Sequence, residues 1–372
     1  MSFRNISSRF HKDKNELTKQ QRFLMMSQNQ TQRPKYIHNL TIQQKKDASL
    51  FFKDNNIIKT IISDSPEMFR YAGEKIKNDR DIVLSVIGKN GLDLQYVSDA
   101  LKNDKEIVLK AVKNNPDAYV YVPDTLKNDP DIALIAIDYY TDNYGLLPDK
   151  LKENIGFMTR AVKINGYLLT YAPFSIQSNV DILKHVVRQN GLYLKVIDET
   201  ILENEQYQNI VRIALNENGL SLIYVPDVIQ QNKKFVRIAV KQNGMALAYT
   251  ELKNNPNIVK LACKQNGLAL QFASENLQDV ESIVIHAIKQ NALSLEYASD
   301  RIKNMFSIVF ESVKLNGLSL EFASNEMKGD IKVITAAVDN NHAAFRFVSQ
   351  HMKGTFLGLD FTSALGAAAS SL

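Results

Sequence analysis

The chain has no tryptophan and a single cysteine, Cys263, among 372 residues. One cysteine makes no internal disulfide, which fits a reducing compartment. No uninterrupted apolar run reaches the roughly 18 residues of a membrane span, so no transmembrane helix is expected. Residues Met1 to Phe10 hold two arginines and no apolar stretch of the length a secretory signal needs. Glycine-rich phosphate loops, cysteine-pair spacings and nucleophile elbows are missing. The six histidines, His11, His38, His185, His286, His342 and His351, are scattered. Two of them, His185 and His286, fall in one column of the repeat described below, but four repeats apart, too far to share a metal ion. No acid, base and nucleophile stand out together, so the expectation is a protein that is not an enzyme and has no metal or cofactor. Apolar residues make up 45% of the chain, which excludes disorder throughout.

Charge is unevenly placed. Residues 1–46 hold ten Lys/Arg and two Asp/Glu, whereas the remainder holds 35 against 38. The net charge of +5 therefore belongs to the N-terminal segment. Lys12, Lys14, Lys19, Arg22, Arg33 and Lys35 mark residues 1–39 as a basic arm. It reads either as a solvated tail or as an arm that orders on nucleic acid or an acidic protein groove. Residues 40–56, with Ile42, Leu50, Phe51 and Phe52, are expected to cap the first repeat of the array that begins at residue 57. Residues 354–372 change composition toward Ala, Ser and Leu, and read as a capping helix, a disordered end or a docking helix.

Between these two ends lies a repeat. A glycine-or-equivalent turn recurs at Pro66, Gly91, Pro116, Thr141, Gly166, Gly191, Gly219, Gly244, Gly267, Ala292, Gly317 and His342. The step is 25 residues in nine of eleven intervals, with 28 before Gly219 and 23 before Gly267. Such self-similarity marks a solenoid, whose stacked units build an extended surface in place of one catalytic pocket. With the turn residue numbered zero, column −4 is apolar in every repeat, as at Ile87, Val187 and Cys263, and column −8 likewise. Column −5 is small in most repeats, as at Ala111, Ala214 and Ser312. Positions −8, −5 and −4 share one helix face, and small residues there let two helices approach closely. Cys263 is accordingly a core residue. Asn or Asp before the helix, as at Asn78-Asp79, supplies caps. The Asn-Gly pair that closes it is expected to put glycine in the left-handed region.

In the second half of the repeat leucine is frequent at +3, in eight of twelve copies, and +5 is aromatic in ten of twelve. Tyr121 and Tyr171, in that aromatic column, are expected in the core. Ser or Pro at +7 marks a new helix start. The expected architecture is all-α: an α-solenoid of about twelve helix-pair repeats over residues 57–353, each a helix of about three turns followed by a short second helix with a kink or break.

These columns resemble the repeats of the domain-of-unknown-function-4116 family, over residues 57–353. The resemblance rests on Asp81-Ile-Val-Leu-Ser-Val-Ile-Gly-Lys-Asn-Gly-Leu-Asp-Leu-Gln-Tyr-Val-Ser98 and on Asn257-Ile-Val-Lys-Leu-Ala-Cys-Lys-Gln-Asn-Gly-Leu-Ala-Leu-Gln-Phe-Ala-Ser274. It fades at 131–155. The family brings no assigned activity and no catalytic residues. Its members look like proteins of large DNA viruses, amoeba-associated bacteria and protists, which implies an intracellular setting, the host cytoplasm or a virion.

Two sets of residues are candidates for partner binding. Column −3 stacks Lys113, Lys163, Arg188, Lys241, Lys264, Lys289 and Lys314. This placement suits the last turn of a helix and would equally form a basic ladder for an acidic partner or a nucleic-acid backbone. Eight tyrosines crowd residues 119–193. Of these Tyr139, Tyr140 and Tyr144 fall where the repeat is weakest and are expected either to repack locally or to form a contact surface. The functional expectation is a scaffold or adaptor that binds proteins. The alternatives are a structural component of a large assembly such as a virus particle, docked through arm and tail, and a nucleic-acid-associated protein acting through the arm.

Overall fold

The computed structural model describes residues 41, 42, 45, 55–138 and 141–357. The basic arm (1–39), the residues Leu50, Phe51 and Phe52 and the segment 358–372 lie outside them. Every repeat opens with a long α-helix: α1 (Asn55–Asp64), α2 (Arg80–Lys89), α3 (Lys105–Asn114), α4 (Pro130–Asp138) and α5 (Ile155–Ile164). Next come α6 (Val180–Gln189), α7 (Gln208–Glu217), α8 (Lys233–Gln242) and α9 (Pro256–Gln265). The last are α10 (Glu281–Gln290), α11 (Phe306–Leu315) and α12 (Ile331–Asn340). No strand occurs among the described residues. The fold is an all-α repeat solenoid, as the columns predict. The chain divides into two compact units, Met1–Asn165 with α1–α5 and Gly166–Leu372 with α6–α12.

The second half of a repeat is broken rather than kinked: a six-residue 3₁₀ helix, such as Gly91–Tyr96, then two extended residues, Val97 and Ser98, then a single α-turn such as Asp99–Lys102. The break falls where Ser or Pro was expected to place it: Ser98 Oγ accepts from the amide of Leu101, and Pro123, Pro148 and Pro173 stand at the same point. Caps at the long helices are as anticipated: Asn179 accepts from the amides of Asp181 and Ile182 at 3.0 and 3.1 Å, an interaction of about 1 kcal/mol. Column −4 is buried throughout, Cys263 included. Ile42 is exposed. Lys45, itself buried, donates to Asp64 Oδ2 at 2.6 Å and Ser65 Oγ at 2.8 Å at the end of α1.

Glycine serves a different purpose from the one expected. No described residue, glycine included, has positive φ. Asn90 is extended (φ −146°, ψ 106°), and its side chain caps the 3₁₀ helix by accepting from the amide of Leu92. The reason for glycine is the next repeat. A Cβ on Gly91 would lie 2.2 Å from the carbonyl oxygen of Ala111, and one on Gly317 would lie 2.1 Å from that of Ala337. These alanines are the small column −5, so turn and helix meet backbone to backbone. Where Pro116, Thr141 or Ala292 replaces the glycine, the flanking long helices pack along less of their length.

A second lock accompanies the glycine. Gln242 on α8 accepts from the Gly219 amide at 2.6 Å and donates to the Glu217 carbonyl at 3.1 Å. Asn340 bonds Gly317 N and Lys314 O at 2.7 and 3.0 Å, and Asn114 bonds Gly91 N and Gly88 O at 2.6 and 3.0 Å. Gln265 and Gln290 accept from Gly244 and Gly267 in the same way. An amide at column −2 thus clasps the preceding turn, satisfying a donor that the close approach would otherwise leave buried.

Candidate partner-binding surfaces

A 3₁₀ helix has three residues per turn, so positions 0, +3 and +6 fall on one side. Leu94, Leu222 and Leu320 at +3 are fully buried, as are Val97, Val225 and Ala323 at +6. Column +5 is left at the edge. Tyr121, Tyr171 and Tyr224 are 36%, 49% and 40% exposed, so Tyr121 and Tyr171 are not the core residues that an α-helical reading of the column required. Beside them Val120 in the first unit and Tyr167, Ile223 and Val228 in the second are also exposed. Each unit therefore presents an aromatic and aliphatic edge along its 3₁₀ helices.

That edge is most developed early in the second unit. Phe174, at the first position of its short α-helix, is 71% exposed. The same position is Asp or Glu in other repeats, as at Asp99, Asp227, Glu275 and Asp300. One turn on, Gln177 lines an open groove of about 470 Å³ together with Tyr167, Thr170, Lys195, Val196, Ile197 and Asp198. Val196, one of the lining residues, stands in the aromatic column. Lys195 Nζ stands 5.4 Å from the centre of the Tyr167 ring, a cation–π distance. At the far end the Thr200 hydroxyl and amide hold the Asp198 carboxyl below its ordinary range. The groove thus joins an aromatic wall, a cation and a carboxylate.

Of the tyrosine set only Tyr144 falls among the described residues. Tyr139 and Tyr140 lie outside the described residues. Tyr144 is half-buried in the leucine column, with Lys152 Nζ 5.6 Å from its ring centre. Tyr119, also in that column, is core: it is fully buried and donates to the Lys127 carbonyl at 2.8 Å. The arm residues Lys12, Lys14, Lys19, Arg22, Arg33 and Lys35 are likewise outside the described residues.

The column −3 cations are all exposed. Lys113 and Lys163 belong to the first unit. Arg188, Lys241, Lys264, Lys289 and Lys314 belong to the second, where Asn216 interrupts the row. Lys314 lies 5.6 Å from the Phe310 ring centre. Cys263 is fully buried, and burial pushes its thiol up to about 12, so it stays protonated at neutral pH. Among the described residues no three His, Cys, Asp or Glu side chains gather as metal ligands, and no helix is long and apolar enough to cross a membrane.

Sequence reading missed the exposed +5 edge, the groove and the amide clasp. The clasp was readable by pairing each turn with column −2 of the next repeat: Asn or Gln follows Gly91, Gly219, Gly244, Gly267 and Gly317, whereas Lys89, Tyr139, Ile164 and Leu315 follow Pro66, Pro116, Thr141 and Ala292.

No curated protein and no solved structure matches the chain. One family does: that described as "Domain of unknown function (DUF4116)" matches at residues 54–102, 79–127, 104–152, 154–202, 207–253, 248–278, 255–303 and 306–353. The first three matches advance by one 25-residue step each, and each spans two structural repeats. On the strength of matches that tile residues 54–353, the chain belongs to the DUF4116 repeat family.

Proposed function

We propose that this protein is a non-enzymatic scaffold or adaptor that binds protein partners along its 3₁₀ edge, with the early part of the second unit as the principal contact. The observation that carries this reading is the exposed cluster of Tyr171 and Phe174 beside the groove under Val196. Large aromatic side chains standing in water are costly to keep and are the residues that dominate protein interfaces. A groove with an apolar wall and two opposite charges suits an extended peptide with one bulky side chain and polar neighbours.

The reading is tested by placing a photo-crosslinking amino acid at position 174 and, as a control, at the exposed position 332 on α12, then irradiating in the native cell or particle. A discrete protein adduct from position 174, lost on Tyr171→Ala, is the expected result. Equal labelling from both positions, or none from 174, would sink it.

A further inference from the structure

The outer faces of α7, α8 and α9 carry a charge that local structure does not explain. Helices α7 and α8 pack together, as do α8 and α9. Columns −10, −7 and −3 share one face of each helix. On that face stand Arg212 of α7, Lys234, Arg237 and Lys241 of α8, and Lys260 and Lys264 of α9. Lys260 is half-buried and the others are exposed. The three helices contain one carboxylate, Glu217, and none of the six cations forms an ion pair among the described residues; Arg212 bonds only the Asn209 amide, at 2.8 Å. Cations at column −3 favour the helix C-terminus, but Lys233 and Lys234 occupy the first turn of α8, at the positive end of its dipole. Column −10 holds Asp81, Glu106, Asp131 and Asp181 in other helices. The lysines on α8 therefore work against the helix that carries them.

We infer that this face binds the phosphodiester backbone of nucleic acid. Residues three and four apart lie about 5–6 Å from each other, and neighbouring helices about 8–10 Å apart. The six cations thus form a continuous positive sheet that an anionic polymer can follow. Between them are Asn209, Asn216 and Asn257, amides of the kind that bond phosphate and sugar oxygens. None of the large exposed apolar side chains lies on α7, α8 or α9. That counts against a protein partner, since interface centres are rich in aromatic anchors and poor in lysine. It also removes base stacking, so binding is blind to sequence and sensitive to salt.

The test is fluorescence anisotropy on the full chain with a labelled oligothymidylate over about 50–200 mM salt. Six phosphate contacts on a single strand give a log–log slope of about −4 from this face. Combining Lys234→Glu, Arg237→Glu and Lys241→Glu should remove about 2 from that slope and weaken binding accordingly. Helicity and urea midpoint report that the variant is folded. A control with Lys12, Lys14 and Lys19 changed to Gln separates the arm from the face. If the helix-face variant binds like the parent chain while the arm variant loses binding, the inference is wrong. It is equally wrong if a polyglutamate peptide displaces the oligonucleotide at equal charge, which would assign the face to an acidic protein.

Discussion

The two units hold the same repeat together by different means. In the second unit, glycine turns at Gly191, Gly219, Gly244, Gly267 and Gly317 bring backbone against backbone, and amide clasps secure four of those five seams. Gly191 is the fifth, with Glu217 in the clasping column; at the Ala292 turn Leu315 replaces the amide, and the Ser312 hydroxyl donates to the Ala292 carbonyl at 3.0 Å. In the first unit only the Gly91–Asn114 seam is of this kind. Its helices are tied by ion pairs instead. Lys59 meets Asp79 at 2.6 Å, Arg80 meets Asp104 at 3.2 Å and also Glu106, Lys105 meets Asp129 at 2.6 Å, and Arg160 meets Asp131 at 2.9 Å. The difference bears on recognition. Where clasps hold the stack, the outer helix face needs no carboxylates, and the cations of α7–α9 are left for a ligand. Where carboxylates hold the stack, Glu106 and Asp131 of column −10 are themselves paired, with Arg80 and Arg160.

Adding one methyl group should break the comparison most severely. Gly219→Ala puts a Cβ 2.2 Å from the Ala239 carbonyl, where only backbone can give way. Overpacking of that kind costs about 3 kcal/mol, read as a lower urea midpoint, whereas Gly145→Ala in the first unit, with nothing within 4 Å, should be near neutral. Gln242→Ala ranks next. It leaves the buried Gly219 amide without its acceptor, a loss of about 1–2 kcal/mol, and should speed hydrogen exchange of that amide selectively. Leu315→Ala, at the same column of the Ala292 seam, removes no hydrogen bond and should leave the Ala292 amide unchanged.

A buried carboxylate sharpens the contrast from the other side. Column +2 holds Ser221, Ala246, Ala269 and Ser319 in the second unit but Asp93 in the first. Burial raises the Asp93 carboxyl above its ordinary 3.8, against the opposing pull of Arg70. The folded chain then binds the Asp93 proton more tightly than the unfolded chain does. Stability therefore falls as pH rises from about 3.8 through the raised value, and the full penalty applies at neutrality. Asp93→Asn should stabilise the first unit at pH 7 and lose that advantage below pH ~4. Asn143 already occupies this column, buried and donating to the Ala136 carbonyl at 2.9 Å. If the Asp93→Asn chain proved no more stable than the parent at any pH, Arg70 would be shown to compensate the charge.

The repeat, the buried −8, −5 and −4 stripe and the helix caps were legible because each is a local property of one helix face. What misled was the second half of the repeat. Aromatics at a fixed column look like core when an α-helix is assumed, yet a three-residue period turns +5 to the edge and buries +3, where Tyr119 and Tyr144 sit. Gly91 looked like a turn residue because its sequence neighbour is Asn90. Its constraint comes from Ala111, 20 positions on, and such a contact shows only when adjacent repeats are read as pairs. The groove likewise lies at Val196, whose departure from the aromatic column is visible in the sequence but without meaning until the 3₁₀ geometry is known.

The smallest expected effect concerns the ion pairs of the first unit. Burial alone would raise the Asp129 carboxyl, but the Lys105 ammonium and the amides of Asp131 and Ile132 outweigh it and hold the group low. A carboxyl depressed in the folded state adds stability above 3.8 and loses it as pH falls through the lowered value. Lys105 is largely exposed and long-chained, so solvent and ions screen most of the attraction. Lys105→Ala should lower the urea midpoint slightly at low salt and neutral pH, and not at all near 1 M salt, where the screening length is about 3 Å. Lys260→Ala, which breaks no ion pair, should shift the midpoint at neither salt. A midpoint loss at Lys105 that survives high salt would mean that its methylene stem packs between α3 and α4 and that charge is incidental, and the first unit would then be held by contact as the second is.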